Sequence, residues 1–238
     1  MARATGPGGG GRHLTQKVKT ARGRKLSSKR WLERQLNDPY VAEAKALGLR
    51  SRAAFKLIQL DDRYSLLRKR DRVVDLGAAP GGWSQVARQR VGEAGFVLAV
   101  DILEMEGLAG VETMQLDFTE EGADTKVIEA IGGRADTVLS DMAQPATGHR
   151  QTDHLRIMAM AELAYDFARQ VLRPGGAFAV KLLQGGAQDD FLKMIKRDFQ
   201  KVRFAKPDAS RKDSAESYLV ATGFRGGKEE DGADDAAA

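Results

Sequence analysis

A lysine interrupts an apolar run at Phe178-Ala179-Val180-Lys181-Leu182-Leu183, and four aspartates, Asp75, Asp101, Asp117 and Asp141, each close a shorter apolar run. Those residue types in those places can do two things. Carboxylates at strand ends can hold the hydroxyl and amino groups of a small polar ligand, and a lysine within a low-dielectric run can exchange a proton. Burial disfavours the ammonium and nearby carboxylates oppose that shift, while a lysine at a strand terminus can also simply reach water. Directly after Asp75 comes Leu76-Gly77-Ala78-Ala79-Pro80-Gly81-Gly82-Trp83-Ser84-Gln85. Glycines without a Cβ let a ligand lie against the main chain, and Pro80 stiffens the turn between them. An ordinary βα turn needs fewer of these features, so the corner points to a nucleotide-like ligand.

The acids narrow that ligand. A dinucleotide would place its pyrophosphate among four carboxylates. The corner reads G-A-A-P-G-G rather than G-x-G-x-x-G, and it carries no lysine or arginine for a phosphate. NAD is therefore disfavoured. S-adenosyl-L-methionine has a nucleoside but no phosphate, and its sulfonium and amino groups are cationic, which suits an acidic pocket. Asp101 follows the corner by roughly two dozen residues, the spacing at which an acid reaches ribose hydroxyls. Asp117 is expected to meet an adenine edge, with Phe118 as an apolar wall.

These residues need a scaffold. Apolar runs predict strands over 73–75, 96–101, 114–118, 137–141, 177–183, 202–205 and 218–222, and they alternate with helical patterns over 83–91, 125–131, 153–172 and 191–199. Strands alternating with helices imply right-handed crossovers and a mainly parallel sheet covered on both faces. The expected fold is α/β, Rossmann-like and doubly wound, with seven strands. The last two strands are too close for an intervening helix, so the closing strand is expected to run antiparallel. Asp75, Asp101, Asp117 and Asp141 are each placed at the end of one strand. Upstream, Trp31, Leu32, Gln35 and Leu36 recur at helical spacing, Asp38-Pro39 breaks that pattern before a helix over 40–47, and Ser51 is expected to cap a further helix bearing Ala54, Phe55, Lys56, Leu57, Ile58 and Leu60.

Composition sets the frame. The chain of 238 residues is long enough for one α/β core and contains no cysteine, which excludes disulfides, thiolate metal sites and a cysteine nucleophile. His13, His149 and His154 have no metal-ligand spacing. No apolar run approaches the roughly 20 residues of a membrane span, and no signal-peptide core is present, so a cytoplasmic protein with no membrane partner is expected. Net charge is +5. Nine basic residues from Arg3 to Arg30 precede the first acid, Glu33, and the chain ends with Glu229, Glu230, Asp231, Asp234 and Asp235. This reads as a basic disordered arm over 1–26, a folded domain over 27–224 whose first part, 27–70, is a helical RNA-binding extension, and an acidic disordered tail over 225–238. Arg50, Arg52, Lys56 and Arg63 would extend the basic surface, although a solvated helix face accounts for most such charges. A polycation like the arm binds phosphate backbones by releasing counterions, the plain alternative being a solubilising tail.

Four segments occur in order: 75–85, Ser140-Asp141-Met142-Ala143, Val180-Lys181 with Gln184-Gly185, and Ser214-Ala215-Glu216-Ser217-Tyr218. Together they resemble the FtsJ/RrmJ family of ribose 2′-O-methyltransferases, over about residues 27 to 224. The resemblance implies the class I fold of methyltransferases dependent on S-adenosyl-L-methionine, and a Lys-Asp-Lys-Glu tetrad formed by Lys56, Asp141, Lys181 and Glu216. In that set Lys181 would take or help remove the ribose 2′-hydroxyl proton. Asp141 and Glu216 would orient the lysines, and Lys56 would stabilise developing oxyanion charge. Cofactor contacts carry over to Gly81, Trp83, Asp101, Asp117 and Asp141, with no metal. The implied substrate is a uridine in the A-loop of 23S rRNA, within the large ribosomal subunit or its late precursor, modified by a monomeric enzyme. A relative acting on tRNA anticodon-loop ribose is the nearest alternative. A cofactor-free ribosome-assembly factor is opposed by the acids and the two lysines. One departure stands out: Gln144-Pro145-Ala146-Thr147-Gly148 replaces the Pro-Asn or related polar pair often found after Asp141-Met142-Ala143.

Overall fold

The structure is a computed structural model that describes residues 33, 36–145, 147–184, 189–211 and 214–226. The basic arm, the tail from 227 onward, the helical positions Trp31, Leu32 and Gln35, and Gly185 lie outside the described residues.

Two helices come first, α1 (Pro39–Ala46) and α2 (Ala54–Tyr64). Asp38 starts α1 by accepting the Tyr40 N–H at 3.1 Å, and Pro39 supplies a preset φ at the first helical position. Ser51 does not cap α2. Ala53 occupies that position with no side-chain bond, Ser51 offers only its carbonyl to the Ala54 N–H, and its hydroxyl is turned instead toward Gly82. Packing against the glycine corner has overridden the capping preference.

The alternation of strands and helices then runs β1 (Arg72–Leu76), α3 (Gly82–Val91), β2 (Phe96–Asp101), β3 (Glu112–Gln115), α4 (Ala123–Ile131), β4 (Ala135–Ser140), α5 (Arg150–Val171), β5 (Leu172–Leu183), α6 (Asp189–Asp198), β6 (Phe199–Ala205) and β7 (Glu216–Phe224). These strands form one seven-stranded sheet in the order β3-β2-β1-β4-β5-β7-β6. From β3 to β5 every pairing is parallel, whereas β7 is antiparallel to both β5 and β6. The order reverses between β1 and β4, the crevice where ligands bind in such sheets. Among the described residues no helix is long and apolar enough to cross a membrane.

Strand residues alternate between faces, and this decides what each side chain can reach. Val74, Leu76, Val100, Val138, Phe178 and Val180 pack in a core shared with α4, α5 and α6. Val73, Val97, Leu139, Ala177, Ala179, Tyr218 and Val220 pack on the opposite face under α2 and α3.

Three strand ends differ from the sequence-based expectation. Asp75 is the penultimate residue of β1 and shares the parity of Val73, so it points under α3. Asp117 lies two residues past the end of β3, where a short edge strand gives way to a turn closed by Asp117 on Thr119. Asp141 follows β4 directly, its N–H bonded to the Leu76 carbonyl. The strand β5 begins at Leu172, immediately after α5, rather than at Ala177.

Candidate active site

The parity rule brings one constellation together. Lys181 and Tyr218 are register partners across the β5–β7 ladder, and Glu216 is two residues from Tyr218 on the same face. Asp141 extends the Leu139 side of β4, and α2 lays the buried Lys56 across this face. The Lys56 Nζ donates to Glu216 Oε1 at 2.7 Å and to Oε2 at 2.8 Å. The Lys181 Nζ lies 2.8 Å from Asp141 Oδ1, donates to the Asp141 carbonyl at 2.7 Å, and sits 3.8 Å from Glu216 Oε1. All four expected tetrad residues thus meet, two cations with two carboxylates. Each lysine has anionic partners in place, so neither leaves an uncompensated charge in this half-buried setting.

Tyr218 joins the set and was given no role in the sequence reading. Its hydroxyl lies 2.8 Å from Asp141 Oδ1, 3.0 Å from Glu216 Oε1 and 3.3 Å from Lys56 Nζ. It can accept from the lysine while donating to a carboxylate. Burial, reinforced by the charges of Asp141 and Glu216, pushes the phenol well above the ordinary tyrosine value. It therefore remains a proton donor, with its one hydrogen within reach of either Asp141 or Glu216. The spacing Glu216-Ser217-Tyr218 was the available signal, since period-two alternation puts both polar side chains on one face.

Beside this cluster a cavity of about 530 Å³ opens at the carboxyl ends of β1, β2 and β4. Its polar lining includes Asp101, Asp117, Asp141 and Lys181, and Leu103, Phe118 and Met160 contribute apolar wall. Asp101 is held by two main-chain donors, the Ala79 N–H to Oδ2 and the Leu103 N–H to Oδ1, both at 2.8 Å. Asp117 accepts from the Thr119 hydroxyl at 2.6 Å and the Thr119 N–H at 2.9 Å, and these bonds hold its carboxyl below the usual range. Gly77 belongs to the lining, and a Cβ there would come within 2.7 Å of the Met142 backbone. Only glycine admits the loop after β4 at that distance, and its φ of 77° suits glycine as well. Ala146 of the departing loop lies outside the described residues, while Gln144 and Pro145 border the cavity.

The remaining expected residues sit behind the lining. Asp75 does not reach the cavity, because its side chain is wholly buried and accepts from Ser84 Oγ at 2.6 Å. Burial, with the charges of Asp141 and Asp101 adding to it, raises that carboxyl to about 7. Gly81 and Trp83 form the start of α3 rather than the lining. The Trp83 indole donates to the Ala53 carbonyl at 2.9 Å and its ring lies 5.5 Å from that of Tyr218, so it braces the cluster against the corner.

Asp141 and Lys181 belong both to the cavity and to the polar cluster. A ligand in the cavity would meet a second substrate at those two residues. Three carboxylates and apolar walls, with Lys181 as the one basic residue among those lining the cavity, suit a cationic nucleoside without phosphate.

Such a site on a doubly wound sheet defines a class of group-transfer enzyme, and comparison with solved structures agrees. A Plasmodium falciparum protein described as a ribosomal RNA methyltransferase superposes with a TM-score of 0.66 at 30% identity, covering 75% of this chain and 100% of that one. The chain belongs to the FtsJ-like methyltransferase family, whose model matches residues 49–224. Among curated relatives, one from Paramagnetospirillum magneticum is 58% identical, covering 94% of each chain. Another, from Bradyrhizobium diazoefficiens, is 59% identical over 90% of this chain and 95% of its own. Both carry the name ribosomal RNA large subunit methyltransferase E.

Proposed function

We propose that the protein methylates the ribose 2′-hydroxyl of a uridine in the A-loop of 23S rRNA, on the large ribosomal subunit or its late precursor in the cytoplasm, using S-adenosyl-L-methionine. The observation that carries this reading is the sharing of Asp141 and Lys181 between the acidic cavity and the Lys56–Glu216 cluster. The RNA substrate is supported by the names of the relatives. The charge pattern of the chain adds to that support.

When bound, S-adenosyl-L-methionine supplies a methyl group on a cationic sulfur, which departs as a neutral thioether without needing an acid. Asp101 and Asp117 would hold the nucleoside, while Gly81 and Trp83, behind the lining, would shape the corner that backs it. Asp141 would face the cationic part of the donor while orienting Lys181. The ribose 2′-oxygen would dock against Lys181, which would accept or help remove the hydroxyl proton as that oxygen attacks the methyl carbon. Lys56, held by both oxygens of Glu216, would stabilise negative charge developing on that oxygen. Alignment of oxygen, carbon and sulfur would supply much of the acceleration, since positioning alone is worth several orders of magnitude in intramolecular reactions.

The test is incubation with labelled S-adenosyl-L-methionine and large subunits from cells lacking the protein, followed by mapping of the labelled nucleotide. One 2′-O-methyluridine in the A-loop is expected. Label in purified tRNA with none in subunits would overturn the substrate assignment.

A further inference from the structure

We infer that Arg50 is a positioning residue for the donor cavity: its guanidinium clamps the loop after β2 onto the glycine corner. This rests on reading the cavity as the S-adenosyl-L-methionine site. The Arg50 Nη1 donates to the Pro80 carbonyl at 3.3 Å and to the Glu106 carbonyl at 2.6 Å, and Nη2 donates to the Gly107 carbonyl at 2.5 Å. One planar fork therefore ties the corner to the far end of the loop whose near end, Ile102 and Leu103, forms the rim of the cavity. That rim is solvent-exposed. Its near end is held by the Leu103 N–H on Asp101 and the Gln115 amide on the Ile102 carbonyl, and the arginine fork holds the other end of the loop.

Arg50 is itself anchored. Its N–H donates to Gln85 Oε1 on α3 at 2.9 Å, and the Gln85 amide donates to the Gly48 carbonyl at 2.9 Å. The side chain then crosses directly over Gly81. A Cβ at that glycine would come within 3.1 Å of the arginine side chain and 3.0 Å of Met105 Sδ, and the φ of 100° also disfavours any other residue there. The absence of a side chain at 81 thus serves the clamp. The donors that make these contacts are spent on three main-chain carbonyls. That sets Arg50 apart from a phosphate-binding arginine, whose fork would face outward. A lysine would keep the charge, but its donors radiate from a single nitrogen and do not reproduce a planar fork spanning two loops.

The test compares wild type, Arg50→Ala and Arg50→Lys. Calorimetric titration with S-adenosylhomocysteine should show affinity about tenfold weaker in both variants, as expected for lost charge-assisted hydrogen bonds. Hydrogen exchange, measured without nucleoside, should rise over 102–107, and the KM for S-adenosyl-L-methionine should rise by a larger factor than kcat falls. Full rescue of affinity and exchange by Arg50→Lys would overturn the clamp, because a charge alone would then suffice. So would unchanged exchange over 102–107 in Arg50→Ala. A wild-type protein that binds no S-adenosylhomocysteine would count against the cofactor reading, and the exchange measurement would still decide the clamp.

Discussion

Replacing Asp75 with asparagine should make the stability of the protein less dependent on pH. Asp75 is fully buried beneath α3, with one carboxylate oxygen bonded to Ser84 and the other without a hydrogen-bond partner. Burial outweighs the Ser84 bond and, with the charges of Asp141 and Asp101, lifts the carboxyl from 3.8 to about 7. The folded protein thus keeps a proton that the unfolded chain releases. For a carboxyl raised in this way the stabilising contribution is complete below 3.8 and is lost as pH climbs to about 7. Each pH unit of difference corresponds to about 1.4 kcal/mol, so the whole interval is worth about 4 kcal/mol. The portion between about pH 5 and neutrality is worth about 3 kcal/mol. Asparagine cannot ionise, and whatever its amide gains or loses in that site is a constant offset. Urea unfolding of both proteins, at about pH 5 and again at about pH 8, should therefore show the variant gaining about 3 kcal/mol on wild type between the two conditions. A difference that does not change with pH would refute the picture of a neutral carboxyl behind the corner. It would also mean that the cavity is bordered by one more negative charge than Asp101, Asp117 and Asp141 provide.

Lys181→Ala should leave S-adenosylhomocysteine affinity within a few-fold of wild type and lower methyl transfer by about a thousandfold. Near-normal turnover in a radiolabelled methyl assay would remove this lysine from the mechanism. Tyr218→Phe keeps the ring against Trp83 but deletes the hydroxyl between Asp141 and Glu216. A stability loss of about 1–3 kcal/mol is expected, and kcat should fall by a larger factor than cofactor affinity; equal turnover in the two proteins would make the hydroxyl a bystander. Deletion of residues 1–26 should weaken RNA binding and flatten its salt dependence while leaving cofactor affinity in place. An unchanged salt slope would separate the arm from the RNA.

Much of the fold was legible because the signals are local. Apolar runs separated by helical patterns imply crossovers and a parallel sheet, and the short gap before the final strand implies its reversal; the β5–β7 ladder shows that reversal. The span of β2 follows from its apolar run and its terminal acid. Local signals were weaker at β3, where only Met114 of the strand's four residues is partly buried. Its apolar cues, Leu116 and Phe118, belong to the turn that follows, which moved the expected strand toward Asp117. Ser51 illustrates the opposite failure: a good capping residue placed where tertiary packing against Gly82 takes precedence.

For the candidate site, the sequence by itself determined the residue types: an acidic, glycine-cornered pocket and a lysine in a strand, with Lys56, Asp141 and Glu216 joined to that lysine only through the family resemblance. It also contained the parity that places Glu216 and Tyr218 on one face. Tertiary structure alone decided which of these side chains converge. Asp75 is withdrawn beneath α3 while Asp141, Lys56, Lys181, Glu216 and Tyr218 are gathered at one point, and Arg50 is bound to the loop after β2. The physical reason is the range of the interactions. Helical and strand periodicity act between neighbours in the chain, whereas Lys56 and Glu216 lie 160 residues apart and meet through the order of the sheet, the antiparallel register of β7 on β5, and the seat of α2 across that face.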